Sequence, residues 1–180
     1  MMRGVFGRRG RGRRGDGEAA EGAPAADPEE MYRSLRAMAL GAVDQGLPAP
    51  PAEHPDVAGL VVDIPSEGGY ATIVALTDDT TSLYTSTGGG TIGAGNHPQV
   101  AALTHVLLAI VQAHLAAFPD PPDDGLPSEG SVRFHVVRPD GGGGADVPVD
   151  CFWGQREHDL MPVIAAMQDI LTALHQVTPP

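Results

Sequence analysis

Apolar residues in this chain recur at two spacings, and the switches between them outline its elements. Met31, Leu35, Met38, Ala39, Ala42 and Val43 follow the three-and-four rhythm of one helical face. Asp27-Pro28-Glu29-Glu30 starts that helix, with Asp27 as N-cap, Pro28 at the first helical position and Glu30 reaching back as a capping box. Gly46 ends it, and Pro48, Pro50 and Pro51 prevent its return. The period then drops to two. Residues 57–64 put Leu60, Val62 and Ile64 on one face. Residues 70–77 alternate about Ile73, Val74 and Leu76, and Asp78-Asp79 turns the chain into residues 80–87. Turns this short predict an antiparallel meander.

Helical spacing resumes over residues 97–118, capped by Asn96 with Gln99 as partner. Val100, Leu103, Leu107, Leu108, Val111 and Leu115 cover much of its circumference, so the helix is expected to be largely buried. A proline-rich acidic loop (119–130) leads to a strand over 131–138. A glycine hairpin turn over 139–144 and an irregular strand over 146–153 follow. Residues 160–176 form an amphipathic helix capped by Asp159. The order is helix, three strands, helix, two strands, helix. It predicts an α+β domain over 27–178: a five-stranded, mostly antiparallel sheet carrying three helices.

Residues 1–26 break this pattern. Gly-Arg repeats give way to Ala, Gly, Glu and Pro, a composition expected to stay disordered. Charge divides at the same place. Residues 1–27 hold six Arg and four acids, whereas residues 28–180 hold five Arg and nineteen acids, for a net −12 overall. The acidic body is expected to repel nucleic acid and anionic membrane and to attract basic partners. Only the arginine-rich tail offers weak, sequence-blind contacts to nucleic acid. No apolar signal segment stands near Met1 and no apolar run is long enough to span a bilayer, so a soluble cytoplasmic protein is expected.

Lysine is absent, which excludes a P-loop lysine, a Schiff-base lysine and a kinase-type phosphate lysine. Cys151 is the single cysteine, so no intrachain disulfide or cysteine metal cluster is possible; inside a strand it reads as a small buried hydrophobe. His97, His105 and His114 lie on different faces of their helix, and no His-Glu-x-x-His occurs. Glu157-His158-Asp159 reads as a helix cap, and the Asp78-Asp79 and Asp123-Asp124 pairs as turns. No cofactor, metal or catalytic residue is expected.

The remaining hint of chemistry is the strand-to-helix corner. Thr87, Gly88, Gly89, Gly90, Thr91, Gly93, Gly95 and Asn96 are candidate ligand-binding residues, because bare amides at a helix start suit an anion. Gly88-x-Gly90-x-x-Gly93 matches a dinucleotide fingerprint in spacing only. Its strand is third in a meander, and the acid needed about 20 residues on falls inside the long helix. The alternative is structural: glycines that let the chain turn sharply and the helix approach the sheet. Arg133 or Arg138 is a possible partner brought in by the fold.

The stretch Thr80-Thr81-Ser82-Leu83-Tyr84-Thr85-Ser86-Thr87-Gly88-Gly89-Gly90, followed by Ile92-Gly93, resembles the signature of an uncharacterised bacterial protein family over residues 57–176. That resemblance implies no activity. The element order is similar to the type III secretion chaperone-like fold, whose members are small, acidic, often dimeric, non-enzymatic binders of other chains. A roadblock- or profilin-like sheet would place two strands before its central helix, where three are counted here. The resemblance implies a protein-interaction or chaperone-like adaptor of unknown partner, able to form a homodimer. The alternative is a small-ligand or anion-binding domain, or an enzyme, centred on residues 87–96.

Overall fold

Helix α1 (Pro28–Leu40) begins where its sequence predicts: Asp27 Oδ1 accepts the Glu29 N–H at 3.0 Å, and Pro28 opens the first turn. The computed structural model describes residues 27–119 and 123–177. The expected tail over 1–26 lies outside the described residues, as do 120–122 and 178–180. α1 stops at Leu40, and hydrogen-bonded turns carry the chain on to Gly46.

Strands β1 (Gly59–Ser66), β2 (Gly69–Leu76) and β3 (Thr81–Thr85) form the expected antiparallel meander. A two-residue strand, β4 (Gly90–Thr91), then pairs with Leu83 and Tyr84. Helix α2 (Pro98–Ala113) crosses the sheet to β5 (Ser131–Arg138), which pairs antiparallel with β1 on its other side. β6 (Gly141–Pro148) closes the order β4-β3-β2-β1-β5-β6. A one-turn helix, α3 (Val149–Phe152), and the long α4 (Met161–Val177) complete the fold.

The α+β class holds, but the counts are corrected: six strands and four α-helices among the described residues, not five and three. β4 has no apolar alternation to betray it. The Gly141–Gly144 run is strand rather than turn, the turn being Pro139-Asp140 alone. Only glycine fits there, because a Cβ on Gly143 would stand 2.6 Å from the Phe118 carbonyl oxygen. That close approach lets Gly144 N–H reach Pro119 O at 2.7 Å and covers part of the β6 edge. Cys151 accordingly sits in α3, not in a strand.

Strand alternation divides the core into two layers. Leu60, Val62, Ile73, Phe134 and Val136 pack against α2 and α4. Val61, Val74, Leu76, Tyr84 and Val137 face α1 on the opposite side. The first layer holds one buried neutral pair, Thr81 Oγ1 with Thr104 Oγ1 at 2.7 Å, whereas the second holds buried charges.

Candidate functional site

The α1 face of the sheet carries Asp63, Thr72 and His135 among its buried residues, and α1 answers them with Tyr32 and Arg36. This sets the roll of the helix. The apolar stripe Met31, Leu35 and Met38, expected to face the core, is displaced sideways by Tyr32, Arg36 and Ala39. Met31 remains 51% and Met38 54% exposed.

Arg36 Nε lies 3.1 Å and 3.0 Å from the two Asp63 carboxylate oxygens, and Nη2 donates to Oδ2 at 2.7 Å. Its remaining N–H groups donate to the Asp124 and Gly125 carbonyls at 2.6 and 3.1 Å, tying the 123–126 loop to α1. Thr72 Oγ1 donates to Asp63 Oδ1 at 2.6 Å, and Tyr32 OH bonds Thr72 Oγ1 at 2.8 Å. His135 Nε2 stands 3.1 Å from Arg36 Nη2 and 3.4 Å from Asp63 Oδ2.

Burial alone would raise the Asp63 carboxyl; its contacts with His135, Arg36 and Thr72 outweigh burial and hold it below the usual carboxylate range. Burial and then the Asp63 charge push the Tyr84 hydroxyl up, so it stays protonated at neutral pH. That hydroxyl is buried and has no hydrogen-bond partner among the described residues. Tyr84 meets Tyr32 edge to face at 5.8 Å.

Along the same side of α1 runs an open apolar groove. It consists of two hollows, about 350 and 380 Å³, that share Leu35, Tyr84 and Ile92. One extends past Met38 to Leu47 and Asp78, the other past Met31 to Pro28. The glycine corner builds the far wall. β4 pairing fixes Gly90 and Thr91, and Gly93 N–H donates to Ser82 Oγ at 3.2 Å, so Ile92 is held between them, 67% exposed. Three large apolar side chains thus stand half-bare around one trough, which marks interaction surfaces more often than scattered exposure does.

The sequence-derived site residues divide in this arrangement. Gly88, Gly89 and Gly90 line the groove beside Tyr84 and Thr85. Thr85 Oγ1 donates to Gly88 O at 2.7 Å and comes within 3.3 Å of Thr87 Oγ1, which knits the loop together. Gly93 begins a 3-10 turn over Ala94–Asn96, so Asn96 precedes the long helix instead of capping it; His97 is the N-cap, without a side-chain bond. Gly95 lies against the Asp79 carbonyl, where a Cβ would overlap it. Thr91 belongs to β4.

Neither arginine raised as a partner comes near this loop. Arg133 and Arg138 lie on β5, four strands from β4, roughly 19 Å at the usual strand spacing. Arg133 instead grips Asp146 at 2.6 and 2.8 Å and Asp123 at 2.8 Å. Asp78 and Asp123 each hold a turn amide, at 3.0 and 2.8 Å, as their turn reading implies. Leu160 N–H, just before α4 begins at Met161, is taken by His158 Nδ1 at 3.1 Å. Among the described residues, no group of three or more His, Cys, Asp or Glu has the geometry to hold a metal ion.

Sequence reasoning missed the buried polar cluster. Its signal was Asp63 within an otherwise apolar strand and Arg36 on the core side of a helix. The fold and groove define an α+β domain with an exposed apolar trough between its N-terminal helix and one sheet edge. Comparison with family models, with curated proteins and with solved structures finds no match. No helix among the described residues is long and apolar enough to cross a membrane.

Proposed function

We propose that this chain is a non-enzymatic, cytoplasmic protein-interaction or adaptor domain that docks an apolar segment of another chain in the groove between α1 and Ile92. The observation that carries this reading is the alignment of Met31, Met38 and Ile92, each more than half exposed, along one trough. Methionine suits such a surface because its unbranched chain adapts to different partners. A helix laid beside α1 would offer its apolar positions to this trough in the usual helix-in-groove manner. The element order read from the sequence resembles the type III secretion chaperone-like fold, and that resemblance motivates the same reading by analogy alone.

A random dodecapeptide library displayed on phage and selected against the immobilised chain tests it. Enriched peptides are expected to shift the methyl resonances of Met31, Met38 and Ile92. Met38→Asp and Ile92→Asp should each weaken them about tenfold or more. Absence of enrichment, or peptides indifferent to both substitutions, would overturn the reading.

A small-ligand reading of residues 87–96 is favoured by one observation: the buried Tyr84 hydroxyl, beside the Gly88–Gly90 wall, is a donor without a partner. An apolar ligand carrying one acceptor would suit it. Thermal-shift hits from a metabolite panel that disappear in Tyr84→Phe would favour this reading over the first.

A further inference from the structure

We propose that the groove is self-occupied: the chain's own segment 1–26 folds back along α1 and seats Val5 and Phe6 in the trough, with its arginines against the acidic rim. This rests on the reading of the groove as a docking surface, and names its resting occupant.

Three observations carry it. The first is where the segment joins the fold. Pro28, the first residue of α1, itself forms the near end of the groove and abuts Gly88, so the described residues begin, at Asp27, beside the mouth of the trough. The second is charge. Residues 1–26 hold six arginines and three acids, net +3, whereas residues 27–180 hold five arginines and twenty acids, net −15. Asp27, next to Pro28, stands exposed at the near end, and exposed Asp78 lines the far end. Val5 and Phe6 are flanked by Arg3, Arg8 and Arg9, so an apolar anchor with basic shoulders meets an apolar trough with acidic ends.

The third observation is reach. From Pro28 to Leu40, α1 runs about 18 Å at helical rise. Phe6 is 21 residues from Asp27, and a random coil of that length would have an r.m.s. span of about 25 Å. The tether therefore matches the trough, which is the condition for a millimolar effective concentration. An intrinsic affinity no better than millimolar then suffices to keep the groove occupied about half the time, and an incoming partner must displace the segment.

The test uses the full chain with a nitroxide on Gly4→Cys in a Cys151→Ala background and methyl-labelled Met and Ile. Met31, Met38 and Ile92 should broaden strongly. Met167 and Ile164, buried against the opposite face of the sheet, serve as internal controls and should not. The selective broadening should vanish in Val5→Ser/Phe6→Ser and weaken at about 0.5 M salt, where screening shortens charge contacts to a few ångströms. Uniform broadening, or selective broadening unaltered by Val5→Ser/Phe6→Ser, overturns the proposal. So does broadening that appears when spin-labelled and methyl-labelled chains are mixed, because a second copy is then the occupant. A synthetic peptide of residues 1–14 separates the two readings. It should shift the groove methyls of the Val5→Ser/Phe6→Ser chain saturably, and bind the unaltered chain about twofold more weakly. Failure of this peptide where library-selected peptides still bind refutes self-occupancy alone; failure of both refutes the docking surface as well.

Discussion

Arg36→Ala should be among the most damaging single substitutions in this protein, and the structure says by how much. The Asp63 side chain is fully buried and that of Arg36 is 10% exposed. Truncating Arg36 removes both arms of the carboxylate pairing and the two bonds that hold the Asp124 and Gly125 carbonyls. Thr72 and His135 remain, but neither brings a fixed positive charge. Breaking a buried pair from one side costs about 3–5 kcal/mol, because the surviving charge is left uncompensated. For a domain of this size that corresponds to a fall in Tm of roughly 6–20 °C.

Urea unfolding at neutral pH of the parent, Arg36→Ala, Asp63→Ala and the double variant would measure it. The double variant should lose much less than the sum of the singles, since it strands no charge. Acid adds a second signature. The folded-state Asp63 carboxyl titrates below its ordinary value of about 3.9. The stability it contributes is therefore complete above that value and is lost as pH falls through the folded value. Arg36→Ala raises the folded value, so this contribution shrinks and acid unfolding moves to higher pH. A loss below about 1 kcal/mol with additive singles would refute the reasoning and mark the pair as a surface-like contact.

Three further outcomes follow from the same coordinates. Tyr84→Phe should be neutral or slightly stabilising in urea melts, because it removes a buried hydroxyl with no partner, while Tyr32→Phe should cost about 1 kcal/mol by taking a hydrogen bond from Thr72. Gly95→Ala should destabilise by about 2 kcal/mol or more in the same assay, since its Cβ would collide with the Asp79 backbone, which cannot swing aside as a side chain would. Cys151 is buried, and burial raises its thiol, so a thiol reagent such as dithionitrobenzoate should label it only at the rate of unfolding; immediate labelling of native protein would contradict its placement in α3.

The sequence by itself determined the local elements whose signals are local. Asp27-Pro28 started α1, the period-two runs around Val62 and Ile73 formed paired strands, and Ser131–Arg138 appeared with the bounds its pattern predicts. Their chemistry lies within a few residues of each position, so no distant contact is needed to read it. Three matters were decided only in the tertiary structure. Gly141–Gly144 read as a turn until the chain after α2 came to lie along β6, at a distance that only glycine permits. Gly90–Thr91 became a strand because Leu83 and Tyr84 stood ready to pair with it.

The roll of α1 mattered most for function. Hydrophobicity alone favoured burying Met31 and Met38. A carboxylate on the facing strand outbid them, because an unpaired buried charge is far more expensive than two half-exposed thioethers. Arg36 therefore turned inward, and the methionines were left beside Ile92 as the bare walls of a groove.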